Sequence, residues 1–194
     1  YKDIYDGAGM ALWMVKMQQL PALLKSWHCA TPEQLDVYIA EHPEASRDLE
    51  KVFSLAESNE SSNKLFAAKD SEELLKDVRS VLAEDGQRMR IKTARAYLEG
   101  RKKMEFETRA RRLDGRMLDL WISISFVASD EILISYTDVT ARKLTLQVLQ
   151  EREEFWSSVI NALPDIIYVN DLSKRRGIYS NRQIGHLLGY DDAK

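Results

Sequence analysis

The residues with the most reactive side chains in this chain are three histidines and one cysteine, and their spacing does not assemble a site. His28 and Cys29 are adjacent on a predicted helix and therefore point to different faces, while His42 and His186 lie far along the chain. This spacing is unlike that of a zinc or iron site, so we predict no metal. The chain also lacks a Gly-rich phosphate loop, a phospho-accepting histidine box and the Gly-Gly-(Asp/Glu)-Glu-Phe signature of nucleotide cyclases. We therefore predict no catalytic residue in this segment, and the enzyme class of a longer protein stays open.

A second candidate chemistry is ligand binding on one face of a predicted antiparallel sheet. Alternation of apolar and polar residues in two predicted strands places six apolar or small side chains on the concave face. These pocket candidates are Met104, Phe106, Thr108, Leu120, Ile122 and Ile124. Periodicity does not distinguish a filled core from a hollow pocket. We favour the interpretation that these residues form a core over the interpretation that they line a pocket. Trp121 alternates to the opposite face and needs cover from a helix or a partner subunit.

Two polar residues after the last predicted strand, Asp138 and Thr140, are suited to start a helix. Either side chain can accept backbone N–H groups of the first helical turn. The strand that ends at Tyr136 belongs to the sheet, so a change in the sheet would shift this helix. We predict that Asp138, Thr140 and Trp121 couple the sheet to the helix. The alternative is that the pair only starts the helix.

The helix predicted over residues 140–163 carries a broad apolar stripe. Its main positions follow at spacings of four, seven and four residues and are Leu144, Val148, Phe155 and Val159. The stripe is either the seam of a coiled coil in a parallel homodimer or the face of a helix that lies on its own sheet. In the dimer interpretation the opening residues 1–5 contribute to the same seam.

Composition limits the class of partner. The chain has 28 basic and 31 acidic residues and a net charge of −3, which gives no electrostatic reason to expect nucleic acid. One cysteine cannot form an internal disulfide, in agreement with a reducing compartment. No run approaches the roughly 18 to 20 apolar residues of a membrane span. We therefore expect this segment to lie in the cytoplasm and to make no membrane contact. This expectation does not apply to a membrane anchor outside the segment.

The chain contains an internal repeat. Residues 58–67 return as residues 180–189 at an offset of 122, and residues 1–15 match residues 155–169 in pattern at an offset of 154. The difference of 32 residues predicts an insertion in the first copy, between its first strand and its Ser-Asn element. An internal repeat defines the structural unit before single residues are interpreted.

The order of predicted elements gives the fold class. A strand at 11–17 is followed by three helices at 20–30, 31–42 and 43–52, then by a strand at 52–58 and helices to Ala83 and from Gln87 to Gly100. Three antiparallel strands complete an α+β domain with a five-stranded antiparallel sheet and flanking helices. The predicted domains are residues 1–139 with a helical insertion at about 18–51, a connecting helix at 140–163, and the start of a second, truncated domain at 164–194.

Several segments resemble PAS sensor domains. YTDVTARK (136–143) is similar to the closing Asp-Ile-Thr of that family followed by a basic pair, and LDGR (113–116) matches a family hairpin. Residues 57–74 resemble its Asn-x-Ala-x-x-x-Leu-Phe-Gly segment, with Asn59 in the asparagine position and Ala67 where glycine is common. In the second copy, PDIIYVND and YSNRQIGHLLGY match the same opening elements.

The resemblance implies a sensory and relay module of a bacterial signal-transduction protein. The module would detect a small molecule or partner and act on an effector in the same chain, either a histidine kinase or a cyclic di-GMP synthase or phosphodiesterase. The alternative is a ligand-free dimerisation module whose inserted helices fill the pocket. Flavin-binding members carry an Asn-Cys-Arg motif that this chain lacks, and its helix at 87–99 has no histidine for haem. Neither cofactor is expected, and whether the domain binds an unidentified small-molecule ligand stays open between the two alternatives.

Overall fold

The computed structural model describes residues 5–82, 85–163 and 165–181. Its first five strands are β1 (Ala11–Lys16), β2 (Ser54–Ser58), β3 (Lys103–Arg111), β4 (Met117–Phe126) and β5 (Glu131–Asp138). They form one antiparallel sheet in the order β2-β1-β5-β4-β3, so β5 is the central strand and lies between β1 and β4. The predicted hairpin at Asp114 and Gly115 joins β3 to β4, and Gly115 has the positive φ of 87° that such a turn requires.

The helices of the described residues are α1 (Leu20–Ser26), α2 (Pro32–Glu41), α3 (Ala45–Val52), α4 (Glu60–Phe66), α5 (Ser71–Val81), α6 (Gly86–Leu98) and α7 (Thr140–Ala162). The first three form the predicted insertion between β1 and β2. α2 begins with a capping box formed by Thr31 and Gln34. None of these helices is long and apolar enough to cross a membrane.

Several predicted boundaries differ from those of the structure. The helix predicted over 20–30 ends at Ser26, because His28 adopts a left-handed φ of 57° and Cys29 N–H bonds back to the Leu24 carbonyl. The strand predicted from 52 begins at Ser54, since α3 continues to Val52. The strand predicted over 11–17 ends one residue earlier. The predicted end of α5 at Ala83 lies outside the described residues.

The core lies between the sheet and the helices. Trp13, Phe66 and Tyr136 form an aromatic cluster with ring centroids 4.7 to 5.4 Å apart. Apolar residues of the inserted helices are buried with them, including Leu20, Leu35 and Leu49. The insertion is therefore an integral part of the core. The strand order and the helical insertion confirm the predicted PAS-like fold class.

The chain divides into two compact units, residues 1–141 and 142–194. In the second unit, β6 (Tyr168–Asp171) pairs with β7 (Arg176–Ser180) in the register of β1 and β2. The pair Trp13 and Ser58 corresponds to Tyr168 and Ser180, and each ladder has a bulge one residue later. The offsets are thus 155 and 122 residues, so the insertion has 33 residues, one more than predicted. The rest of the repeated segment, 182–189, lies outside the described residues, as do the first four residues of the opening match.

Candidate functional site

The start of α7 is tied to the beginning of β4 by hydrogen bonds at Asp119. The Asp119 backbone N–H donates to Thr140 Oγ1 over 2.9 Å, and the Val139 N–H donates to the Asp119 carbonyl oxygen over 2.9 Å. Asp138 Oδ1 accepts the Thr140 backbone N–H over 2.8 Å. Of the two predicted capping residues, Asp138 therefore caps the helix, whereas the Thr140 hydroxyl bonds to the sheet. The first turn of α7 and β4 form one hydrogen-bonded unit.

The hydrogen bonds continue from Asp119 to the start of α6. Arg109 Nε on β3 donates to Asp119 Oδ1 over 3.4 Å. The Arg109 backbone N–H and the Thr108 hydroxyl both donate to Asp85 Oδ2, over 3.0 and 2.9 Å. These hydrogen bonds hold the pKa of the Asp85 carboxyl below its ordinary value, and the bond from the Arg109 N–H has the largest effect.

Sequence reasoning missed Asp85, Arg109 and Asp119 as members of this path. One feature of the sequence pointed to Asp119, which is the only acidic residue in β4. The pairing of β3 with β4 places it opposite Arg109, and that pairing depends on register as well as on composition.

The six pocket candidates lie on one face of β3 and β4 as three directly opposed pairs. The pairs are Met104 with Ile124, Phe106 with Ile122, and Thr108 with Leu120. The three β4 residues and Thr108 are buried, while Met104 and Phe106 are half-buried. They pack as core at this end of the sheet, and their role as ligand contacts stays a prediction.

Trp121 and the predicted seam residues are exposed. Trp121 lies on the outer face of β4 between Glu107 and Thr137, with 40% of its surface accessible. The four stripe residues on α7 are Leu144, Val148, Phe155 and Val159, of which Val159 is the least exposed at 36%. Tyr5, the described residue of the opening segment, is instead buried and donates from its hydroxyl to the Leu12 carbonyl oxygen. Tyr1 and Ile4 lie outside the described residues.

A cavity of about 280 Å³ lies at the β2, β1 and β5 side of the sheet, where its lining residue Ile134 is directly opposite the candidate Ile124. Its walls come from β1, β2 and β5 and from α5 and α6, and the inserted α3 contributes Glu50, with Phe53 just beyond it. Most of the lining is apolar, with Val15, Val78 and Ile132 among the side chains. None of the six candidates contributes to the wall. The insertion therefore helps to build a cavity in this domain.

Polar groups in the cavity wall are few and distinct. Arg90 Nη2 and Glu50 Oε2 are 4.0 Å apart, and the two side chains are 18% and 31% exposed. Trp13 is buried, and among the described residues its Nε1–H has no hydrogen-bond partner. A buried donor without a partner costs about 1–3 kcal/mol, and a ligand oxygen would satisfy it. Among the described residues, the cavity wall thus combines apolar side chains, the charged side chains of Glu50 and Arg90, and the buried Trp13 donor.

Metal ligands do not come together in the part of the chain that the structure describes, where no three His, Cys, Asp or Glu side chains form a cluster. His186 lies outside that part. Burial raises the pKa of the Cys29 thiol. The sequence expectation for flavin and haem stays a prediction.

Comparisons with known proteins concern the fold. No family model and no curated protein matches the sequence. Among solved structures, a PAS domain from Colwellia psychrerythraea is similar at 13% identity over 72% of this chain and 94% of that one, with a TM-score of 0.47. A domain of a sensory box sensor histidine kinase/response regulator from Geobacter sulfurreducens has 11% identity, coverage of 71% and 90%, and a TM-score of 0.45. A LOV protein of Rhodobacter sphaeroides has 15% identity, coverage of 71% and 64%, and a TM-score of 0.45. The fold assignment itself rests on the strand order and connections of this chain.

Proposed function

We propose that this chain is a PAS-type sensory and relay module of a bacterial signalling protein, which passes a conformational change from its sheet through α7 to a downstream effector. One observation carries the proposal, the 2.9 Å hydrogen bond from the Asp119 N–H in β4 to the Thr140 hydroxyl in α7. Because the same residue also accepts from Val139, a shift of β4 would move the first turn of the helix.

The cavity supports the detection of a ligand. Ile132 and Ile134 of β5 line it, and β5 leads directly to Asp138 at the start of α7. A molecule bound between β5 and α6 would therefore act on the strand from which the helix emerges. The proposed signal is a small-molecule ligand. The alternative signal is the binding of a partner protein.

The proposed effector lies in the same chain and is a histidine kinase or a cyclic di-GMP synthase or phosphodiesterase, as the family resemblance implies. The proposed assembly is a homodimer that pairs α7 through its exposed stripe. The proposed compartment is the cytoplasm, which the free thiol of Cys29 supports.

An insertion series in α7 of the full-length protein tests the relay. One residue inserted near Gln150 rotates everything beyond it by about 100°, whereas seven residues restore the stripe to within about 20°. Insertions of one to four residues should lock the effector on or off, and a full heptad should largely preserve regulation. A smooth response to length, with four and seven residues alike, would show that α7 is a flexible tether and would contradict the proposal.

A ligand-free dimerisation module is the second candidate. The observation that favours it is the exposed stripe on α7, which needs a partner in either case. The two candidate functions differ in whether the cavity binds a ligand. Native mass spectrometry of freshly purified protein and a thermal-shift screen of metabolites would separate them, because a ligand at a hundredfold excess over Kd stabilises the fold by roughly 2.7 kcal/mol.

A further inference from the structure

The cavity beside β1, β2 and β5 has mainly apolar walls and one buried donor that no described residue satisfies. We propose that it binds a small uncharged molecule with an apolar body and one acceptor oxygen, of the class of ketones with a single hydrocarbon ring. This inference rests on the sensory function proposed above, since it names the chemical class of the ligand. Trp13 would recognise the oxygen.

The walls are suited to a hydrocarbon body. Apart from Glu50, Ser54, Arg90 and Thr93, every described residue of the lining is apolar. Contact with such walls removes the apolar surface of a ligand from water, which favours binding. The volume of about 280 Å³ is nearly twice the roughly 150 Å³ of an apolar cavity that holds benzene. One ring with a short substituent therefore fits this space.

The charged side chains of the wall are already engaged within the protein, so they do not select a charged ligand. Arg90 Nη2 and Glu50 Oε2 are 4.0 Å apart, and both residues also make other interactions. A charged ligand would lose its hydration on entering the cavity, and Arg90 or Glu50 would have to give up protein partners to compensate it. An uncharged ligand avoids this cost.

Trp13 supplies the polar contact. Its ring packs against Phe66 and Tyr136, with ring centroids 5.1 and 4.7 Å away, and the residue also forms part of the cavity wall. The side chain is buried, and its Nε1–H has no hydrogen-bond partner among the described residues. An indole N–H only donates, so its partner must be an acceptor such as a ketone oxygen. The hydrocarbon ring of the ligand would then occupy the apolar part of the cavity.

Calorimetric titration of the 194-residue chain with probes of one shape tests the ligand class. Acetophenone and cyclohexyl methyl ketone should bind saturably and raise the melting temperature. In 2-phenylpropene a methylene group replaces the oxygen of acetophenone, and binding should be about tenfold weaker. Benzoate and 1-phenylethylamine carry one charge of either sign and should bind at least about tenfold more weakly than acetophenone. If neither ketone binds up to about 1 mM, or if any of the three analogues binds as well as acetophenone, the proposal is wrong.

A filled cavity tests the location of the site. Val78→Phe places a larger side chain in the cavity wall and should abolish ketone binding. The matched Val37→Phe on the exposed face of α2 should leave binding unchanged. Unaltered acetophenone binding by a folded Val78→Phe variant would place the ligand elsewhere and overturn the inference.

The indole N–H signal of Trp13 tests the hydrogen bond without any substitution. The chain has four tryptophans, so the signal is identified by sequence-specific assignment of the ¹⁵N-labelled protein. Acetophenone should shift this signal downfield, because its oxygen accepts the proton, whereas 2-phenylpropene should shift it less. Equal shifts with the two probes, or no shift with acetophenone, would exclude Trp13 as the donor and overturn the inference.

The failures of this inference and of the proposed function are distinguishable. Binding is measured on the isolated chain, whereas the relay is measured as effector activity in the insertion series. Absent binding with an intact seven-residue rhythm contradicts the ligand class alone. Acetophenone binding with a smooth response to insertion length contradicts the relay alone.

Discussion

Asn59 and Asn181 make the same four hydrogen bonds in the two parts of the chain. Asn59 pairs in this way with Leu12 in the first strand of its unit, and Asn181 pairs with Ile167 just before the first strand of the other. In each pair, the side-chain Oδ1 of the asparagine accepts the backbone N–H of the partner, and the backbone N–H of the asparagine donates to the partner's carbonyl oxygen. Each Nδ2 donates to two carbonyl oxygens further upstream, those of Tyr5 and Met10 or those of Ile160 and Asp165. Every upstream partner lies 155 residues from its counterpart, so the asparagine fixes the entry of each first strand in the same way.

Replacing Asn59 should destabilise the domain strongly. Asn59 is fully buried, and Asn59→Ala leaves the Leu12 N–H and two carbonyl groups without their partner. We expect a loss of about 2–4 kcal/mol in the free energy of unfolding by urea. Asn63→Ala on the same helix is the control and should cost less than about 1 kcal/mol, since its side-chain amide makes two longer hydrogen bonds with Ser71, over 3.3 and 3.5 Å. Equal losses would contradict this role.

Ala67 is a site where glycine should stabilise the protein. Its φ of 57° lies in the left-handed region at the end of α4, where a Cβ atom costs roughly 1–2 kcal/mol. Ala67→Gly should therefore raise the free energy of unfolding by about 1 kcal/mol, after the greater entropy of glycine in the unfolded chain is subtracted. Ala68→Gly is the neighbouring control and should lower stability. Thermal and urea unfolding of both variants would check this, and a destabilised Ala67→Gly protein would contradict it.

Thr140→Val should uncouple the effector from the sensor with little loss of stability. The substitution keeps the shape of the side chain but removes the acceptor for the Asp119 N–H. We expect a cost of about 1 kcal/mol in unfolding and a loss of regulated effector activity in the full-length protein. Thr140→Ser keeps the hydroxyl and should retain regulation. Normal regulation in Thr140→Val would exclude this bond from the relay.

Asp85 should contribute to the acid sensitivity of the fold. The Arg109 N–H and the Thr108 hydroxyl lower its pKa in the folded state below the ordinary 3.8. A lowered folded pKa stabilises the protein above the unfolded pKa, and the contribution is lost as the pH falls through the folded pKa. The stability difference between the natural protein and Asp85→Asn should therefore shrink below about pH 4. Urea unfolding from pH 7 to pH 2.5 measures it, and a constant difference over that range would contradict the assignment.

Charges placed in the α7 stripe should dissociate the proposed dimer. Phe155→Glu with Val159→Glu brings like charges into an apolar seam, so light scattering should give the mass of a monomer. Gln150→Glu with Ser157→Glu adds the same charge on the other side of the helix and should leave the dimer intact. A monomeric natural protein, or an unchanged mass for the first variant, would show that the stripe is not a dimer seam.

Local rules of sequence determined the elements of this fold. Alternation in β3 and β4 identified the buried face that holds Leu120, Ile122 and Ile124, and the side chains of Thr31 and Asp70 cap the helices that begin after them. These features depend on residues a few positions apart, so they can be read without the tertiary structure. The end of α1 could not be predicted by such local rules. His28 adopts the left-handed conformation there, and a histidine, unlike a glycine, does not indicate the end of a helix.

Only the tertiary structure decided which residues meet. Glu50 and Arg90 come from helices separated by β2, α4 and α5, and the packing of the inserted α3 against α6 brings them into one cavity. Asp119 became part of the junction because β4 passes beside the start of α7, and no spacing in the sequence indicates the bond to Thr140. Periodicity assigns a side chain to a face, but where that face is filled and where it is hollow depends on how distant elements pack. For that reason the six predicted residues form core on β3 and β4, while the cavity is lined by residues of β1, β2 and β5.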